Sequence, residues 1–219
     1  MEERELKDDR EEVVRLRDLE PEVAFSHRGR VLPLHGRAEI RFHSVNLDEV
    51  SVELTRIFRN NLAAFLHQDH SLSSVGKALT NLTVQVSGEL NRRNESRLEL
   101  GSWQQQPMKG LFRVTVSDPK THYRRDTRTV LFSDIGLVVK DDGQDLLVTA
   151  LSLKTLEPLS GISIELLSYE NQVIETRSAD GRGRTVFSGW KKNAWGLTPW
   201  ILVAGQGDDF TYHVIGDKQ

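Results

Sequence analysis

The stretches Thr129–Lys140 (TVLFSDIGLVVK) and Pro158–Leu166 (PLSGISIEL) decide the fold class of this chain. In the second stretch, isoleucine and leucine alternate with serine and glutamate. Such alternation gives a strand one buried face and one wet face. Gly161 precedes this strand and Gly181 lies in a later turn, and glycine suits turns that need a left-handed backbone. The pattern predicts a small β-sandwich in which Gly161 and Gly181 are structural turn residues.

The same alternation of apolar and polar residues occurs upstream, so the chain is predicted to hold two sandwiches in series. We expect an all-β protein made of two fibronectin-III-like, seven-stranded antiparallel β-sandwiches in tandem. The first sandwich is assigned to residues 19–127 and the second to residues 128–219. Residues 117–128 are polar, and Pro119 cannot donate to a β-ladder, which favours a linker there. Residues 1–18 are charged and are interpreted as a leader or linker.

Composition excludes several classes of function. The 219 residues carry a formal charge of −3 and include no cysteine. The chain therefore has no thiol nucleophile, zinc thiolate or disulfide. A basic stripe with interleaved aromatic residues, typical of nucleic-acid binding, is absent from the sequence. No apolar run approaches the ~20 residues of a membrane-spanning helix, so we expect no direct membrane insertion. Residues 1–20 do not resemble a signal peptide.

Two clusters contain residue types that bind metals. They are His67, Asp69 and His70, and Asp141, Asp142 and Asp145. Neither cluster has the ligand spacing of a known metal site, and acids in a hairpin commonly form turns. We therefore predict no metal, no cofactor and no catalytic residue.

The loop around residue 190 is the predicted contact surface. Trp190 and Trp195 flank a short basic segment there, and exposed tryptophans mark binding surfaces. Trp200 opens an apolar strand and is predicted to lie in the core. The chain lacks a Gly-x-Ser-x-Gly nucleophile elbow, and the segment Gly181–Arg184 lacks the third glycine of a dinucleotide site.

Several segments, taken in order, resemble one known family. They are Leu19–Phe25 (LEPEVAF), Gly29–Pro33 (GRVLP), Ser44–Ile57 (SVNLDEVSVELTRI), Asn60–Leu66 (NNLAAFL), Phe132–Leu137 (FSDIGL), Pro158–Gly161 (PLSG) and Ala179–Gly181 (ADG). Their order and spacing are similar to two consecutive macroglobulin domains of the bacterial α2-macroglobulins. The resemblance spans roughly residues 19–214, and residues 1–18 match nothing in it.

The resemblance implies a non-catalytic scaffold segment of a broad-spectrum protease inhibitor. In that family a protease cuts a bait segment, the protein changes shape, and a thioester attaches to the attacker. This chain lacks the Cys-x-Glu-Gln thioester motif. The implied partners are the neighbouring macroglobulin domains and, through the parent protein, target proteases. The implied compartment is the periplasm, and the resemblance allows the parent a lipoprotein anchor in the inner membrane.

Two other functions remain as alternatives at this point. One is an extracytoplasmic adhesin-type module that binds sugar or protein through Trp190 and Trp195. The other is a hydrolase whose site no motif reveals. Binding of glycans that is lost when both tryptophans are changed favours the first, and hydrolysis lost on changing one histidine favours the second.

Overall fold

A computed structural model describes residues 17–26, 31–32, 39–67, 75–86, 88–100 and 108–215. Within these ranges the chain forms fifteen β-strands in four sheets. The eight strands up to residue 132 are β1 (Glu22–Phe25), β2 (Val31–Leu32), β3 (Glu39–Val45), β4 (Glu49–Ile57), β5 (Gly76–Gln85), β6 (Asn94–Glu99), β7 (Gly110–Asp118) and β8 (Thr121–Phe132). A 3-10 turn (Arg59–Asn61) and a short helix α1 (Leu62–Leu66) follow β4.

These eight strands make the first sandwich. One sheet has the strand order β2-β8-β7-β4-β5 and the other has the order β1-β3-β6. All neighbouring strands are antiparallel except β2 and β8. The inward-facing residues of β4 and β7 alternate along each strand and are fully buried, as Val52 and Val114 illustrate. Phe112 and Phe132 meet edge to face at 5.7 Å in the same core.

The remaining seven strands make the second sandwich. They are β9 (Ile135–Asp141), β10 (Leu146–Ser152), β11 (Ser163–Ser168), β12 (Val173–Ser178), β13 (Arg184–Phe187), β14 (Pro199–Gln206) and β15 (Asp209–Val214). Their sheets have the orders β13-β10-β9 and β12-β11-β14-β15, all antiparallel. Fully buried Leu146, Val148, Ile164, Leu166 and Phe187 fill the space between the sheets. The predicted all-β tandem of sandwiches is confirmed.

The predicted position of the domain boundary is wrong. Residues 117–128 do not form a linker, because β7 and β8 pair as a hairpin from Gly110↔Phe132 to Asp118↔Thr121. Pro119 lies in the turn of this hairpin, where no ladder donor is needed. A division between residues 127 and 128 falls inside β8, so the first sandwich ends at Phe132. The polar residues of this segment cover the wet outer face of the sheet.

The strand count of the first sandwich also differs from the expectation, with eight strands rather than seven. Its larger sheet includes the two-residue strand β2 and the strand β8, most of which was assigned to the linker. Strand β5 begins at Gly76. Residues 68–74 lie outside the described residues. The apolar run Leu62–Leu66, which has no clear type in the sequence, is helical.

The two predicted turn glycines have different backbones. Gly161 has a φ of +72°, in the left-handed region, and open space around it. Gly181 lies in the turn that follows Asp180, but its φ is outside that region, so the prediction of a left-handed backbone there is wrong. The left-handed residue is Gly183, with a φ of +70°. A Cβ on Gly183 would also lie 2.4 Å from the backbone oxygen of Ala150.

Candidate functional site: the interface between the sandwiches

A third apolar cluster joins the two sandwiches, and we call it the interface core. Its buried members from the first sandwich are Ile57, Leu62, Ala63, Leu111 and Leu131, and those from the second are Leu167, Ile201, Val203 and Phe210. All of them are nine-tenths or more buried. The side chains of Phe65, Leu66, Trp200 and Tyr212 pack around its margin. The two sandwiches are therefore joined by a buried apolar cluster of their own, in addition to the core of each sandwich.

The first sandwich supplies its part of the interface core from the outer face of its larger sheet. Ile57 pairs with Leu111, and Leu111 pairs with Leu131, so the three side chains form a row across β4, β7 and β8. Outward positions farther from the second sandwich, such as the paired Thr115 and Thr127, are polar. The outer face thus changes from polar to apolar at the end of the sheet next to the second sandwich. Helix α1 adds Leu62 and Ala63 beside this row.

In the second sandwich the corresponding surface lies on β14. Leu202 and Ala204 face the core of the second sandwich, whereas Ile201 and Val203 face the interface core. A strand that is apolar on both faces must be covered on both faces. This continuous apolar run was visible in the sequence, and it is the signal that could have predicted the interface. The interpretation of the run as a single core strand missed its second face.

Polar contacts surround the interface core. Arg59 Nη2 lies 2.9 Å from Glu165 Oε2 as an ion pair, without the alignment of a hydrogen bond. Arg56 Nη2 lies 2.7 Å from Asp208 Oδ1. Hydrogen bonds also cross the interface, and in one of them Asn171 Nδ2 donates to the Asn60 carbonyl at 2.8 Å. Ser133 Oγ, directly after the end of the first sandwich, donates to Asp209 Oδ1 at 2.7 Å. These contacts add orientation to an interface whose stability comes mainly from apolar burial.

Gly110 allows the backbones to approach at this interface. Its φ is +95°, and a Cβ there would lie 3.1 Å from the Asp208 carbonyl oxygen and 3.2 Å from the Phe210 ring. Any other residue at position 110 would need a strained backbone and would push β15 away. The start of β7 and the β14–β15 turn therefore fit closely.

His67 takes part in the interface. Its Nε2 lies 2.7 Å from the carbonyl oxygen of Tyr169, and its ring lies 3.7 Å from the Tyr169 ring and 4.4 Å from the Trp200 ring. Asp69 and His70 belong to the same possible metal-binding cluster as His67, but they lie outside the described residues. Trp200 is half-buried at the margin of the interface core rather than inside the core of one sandwich.

The aspartates of the second possible metal-binding cluster accept hydrogen bonds from backbone amides. Asp141 Oδ1 accepts from the Gly143 amide, and Asp142 Oδ1 accepts from the amides of Gln144 and Asp145. The hydrogen bond from the Asp145 amide is the main cause that holds the pKa of the Asp142 carboxyl below its ordinary value. Among the residues with described positions, no group of three histidine, aspartate or glutamate side chains could hold a metal ion.

The prediction that Trp190 and Trp195 form one contact surface is wrong for Trp190. Trp190 is 3% exposed and packs in the core of the second sandwich. The cause is tertiary, because the loop after β13 turns inward at this residue and covers the end of that core. Trp195 is 88% exposed. For the adhesin alternative, Trp195 is therefore the one exposed tryptophan of the two that the sequence predicted as a binding surface.

Two sequence models of protein domains match consecutive parts of this chain. The bacterial alpha-2-macroglobulin MG2 domain matches residues 24–132, and the bacterial alpha-2-macroglobulin MG3 domain matches residues 132–219. The two matches meet at the residue where β8 ends. They agree with the division that the sheets show.

Curated relatives and solved structures are similar over most of the chain. The alpha-2-macroglobulin of Xylella fastidiosa (strain 9a5c) is 28% identical over 222 residues, which cover 92% of this chain and 13% of the relative. That of Escherichia coli (strain K12) is 24% identical over 188 residues, covering 80% of this chain and 11% of the relative. The chain thus spans a small part of the length of these proteins.

The fold is also shared with solved structures. A crystal structure of native Escherichia coli alpha-2-macroglobulin spanning domains MG0-NIE-MG1 has a TM-score of 0.71 at 22% identity, with 91% of this chain and 66% of that chain covered. A structure of the same protein spanning domains NIE-MG1 has a TM-score of 0.69 at 20% identity, with 90% of this chain and 98% of that chain covered.

Proposed function

Because this chain belongs to the bacterial alpha-2-macroglobulin family, we propose that it is a non-catalytic scaffold segment of a protease inhibitor. Its work is to hold two macroglobulin domains as one rigid body, so that a displacement at one end is transmitted to the other. The interface core is the observation that carries this proposal. Its partners are the neighbouring domains of a longer polypeptide and, through that polypeptide, target proteases.

The size and chemistry of the interface support a rigid body. Domains of one chain usually move relative to each other unless their interface is large and hydrophobic. Here nine buried apolar side chains from both sandwiches form one cluster. Burial of one such side chain contributes about 1.5–3 kcal/mol. Separation of the sandwiches would expose the whole cluster together with the Gly110 contact, so bending at this point is costly.

The residues that the sequence offers as possible metal ligands support a non-catalytic role. Asp141 and Asp142 hold the β9–β10 turn, and His67 packs between aromatic rings of the second sandwich. Each of these groups therefore has a structural use. The chain has no cysteine, so any thioester of the longer polypeptide would lie outside these 219 residues.

The distance between two spin labels tests the rigid-body proposal. The chain has no native cysteine, so Leu90→Cys and Val173→Cys place labels on exposed sites of the first and second sandwich without background labelling. We expect a narrow distance distribution by pulsed electron resonance. Ile201→Asp should broaden it, because a carboxylate in the interface core separates the sandwiches. A broad distribution in the parent chain would contradict the proposal.

Protease shielding tests the inhibitor role. We expect the 219-residue chain alone neither to cleave a peptide nor to shield trypsin or elastase from a large substrate. In the longer polypeptide, Ile201→Asp should reduce shielding while cleavage of the polypeptide by the protease continues. Undiminished shielding by this variant would show that the rigid pair does not serve inhibition. A covalent adduct between the isolated chain and a protease would also contradict the proposal.

We propose that the parent protein is periplasmic, as the family resemblance of the sequence implies, and the bacterial origin of the relatives supports this proposal. None of the helices among the described residues has the length and hydropathy of a membrane span. Fractionation of cells that express the native gene tests this location. Recovery in the cytoplasmic fraction would contradict it.

A further inference from the structure

Trp195 occupies a backbone conformation that tryptophan rarely adopts. It is the second residue of a four-residue turn, closed by a 2.8 Å hydrogen bond from the Leu197 amide to the Ala194 carbonyl. The φ angles of Trp195 and Gly196 are +54° and +80°. Positive φ at both central positions defines a type I′ turn, which glycine, asparagine and aspartate favour. A bulky side chain at the first central position is a source of backbone strain.

The residues that the structure describes bury little of the Trp195 side chain, so burial does not offset this strain. It is 88% exposed, the largest exposed fraction among the large apolar side chains of the described residues. Exposure of the indole ring to water and strain in the backbone each raise the free energy of the folded chain at this residue. Strain that persists at an exposed position points to a function.

The loop that carries Trp195 is firmly held, so the ring is presented at a defined place. Buried Trp190 anchors the loop to the core of the second sandwich. The Asp145 carboxylate accepts from the Gly189 amide at 2.9 Å, and Asn193 Nδ2 donates to the Ser188 carbonyl at 2.9 Å. A rigid aromatic anchor loses little conformational entropy on binding.

The charge of this loop indicates the chemistry of its partner. Residues 188–198 contain Lys191 and Lys192 and no acidic residue, and both lysines are exposed. A surface complementary to this loop would combine an apolar pocket for the indole ring with acidic residues at its rim.

We propose that the Trp195 loop docks into an apolar pocket with an acidic rim on another domain of the same polypeptide. One ring and two lysines bury far less than the roughly 1,200 Å² of a stable complex between separate proteins. A contact of this size holds when both partners belong to one chain, because the effective concentration is high. The relatives are long enough for this, since the chain covers 13% of the Xylella fastidiosa protein. This inference rests on the proposed function as a segment of such a polypeptide.

Acrylamide quenching of Trp195 fluorescence tests the docking. Subtracting the emission of Trp195→Phe from that of the parent isolates the Trp195 signal, both for the 219-residue chain and for the longer polypeptide. We expect the quenching constant to be several-fold smaller in the longer polypeptide. Lys191→Glu with Lys192→Glu should restore quenching there. Equal quenching in the chain and the polypeptide would overturn the proposal.

A second variant should change stability in opposite directions in the 219-residue chain and in the longer polypeptide. Trp195→Gly removes the strain, so the melting temperature of the 219-residue chain should rise by a few degrees, while the longer polypeptide should lose stability. A rise in both would overturn the docking. Protection of Trp195 that grows with the concentration of the isolated chain, or that needs anionic vesicles, would also overturn it in favour of a second copy or a membrane. Each of these outcomes leaves the spin-label distance unchanged, so it is distinguishable from failure of the rigid-body proposal.

Discussion

At the scale of single residues, buried Asp118 links the β7–β8 turn to pH. Its carboxylate accepts from the Lys120 amide at 2.8 Å and the Thr121 hydroxyl at 2.6 Å, and it pairs with Arg124. Burial alone would raise the pKa of this carboxyl, but these hydrogen bonds and the Arg124 charge together hold the pKa below its ordinary value. The ionised form is therefore the one that the folded chain stabilises.

The first prediction follows from the lowered pKa of the Asp118 carboxyl. A folded pKa below the unfolded value of about 3.9 stabilises the protein above that pH, and this stability is lost as the pH falls through the folded pKa. Asp118→Asn should cost roughly 1–3 kcal/mol at pH 7. The difference from the parent should shrink at pH 3, as urea denaturation at both values will show. A difference that does not depend on pH would contradict the ionised role.

The three turn glycines support a second prediction. Gly183→Ala should destabilise the second sandwich most, because the new Cβ would lie 2.4 Å from the Ala150 backbone oxygen in addition to the strain at a φ of +70°. Gly161→Val should cost on the order of 1–3 kcal/mol from backbone strain alone. Gly181→Val is the matched control, since it has open space and an ordinary φ. Equal melting temperatures for the Gly161 and Gly181 variants would contradict the strain argument.

At the scale of elements, the β7–β8 hairpin supports a third prediction. Strand β8 contains three sites for trypsin, at Arg124, Arg125 and Arg128. A linker with these sites would be cut early, but backbone paired in a sheet resists proteases. We expect brief trypsin treatment not to separate the sandwiches within residues 121–132. The unfolded chain is the control and should be cut there rapidly. Early recovery of two halves divided in this segment would contradict the strand assignment.

At the scale of the whole molecule, neighbouring residues on β14 distinguish the two cores. We expect the chain to unfold in one cooperative transition, because both sandwiches share the interface core. Ile201→Ala should cost about 2–5 kcal/mol and divide this transition into two, since it weakens the coupling between sandwiches. Leu202→Ala is the matched control, because it opens a cavity in the second sandwich alone. Calorimetry should show two transitions only for the Ile201 variant, and the reverse result would contradict the interface.

The sequence alone determined the class of fold, most strands and the family. The seven strands expected in the second sandwich correspond one to one to β9–β15, and the turn at Asp142 and Gly143 lies between β9 and β10. These features depend on neighbours within a few residues, because side-chain alternation and turn residues act locally. The polar residues on the outer face of β8 led to the wrong domain boundary. Local polarity does not distinguish a linker from a strand with one solvent-exposed face.

Tertiary structure decided which apolar surfaces meet. Ile57, Leu111 and Leu131 stand far apart in the sequence, and only the pairing of three strands brings them into one row. Trp190 and Trp195 look alike in the sequence, yet the path of the loop buries one ring and exposes the other. Periodicity determines which face of a strand is apolar, but the partner of that face depends on packing between distant segments. Here that packing forms the interface core between the two sandwiches.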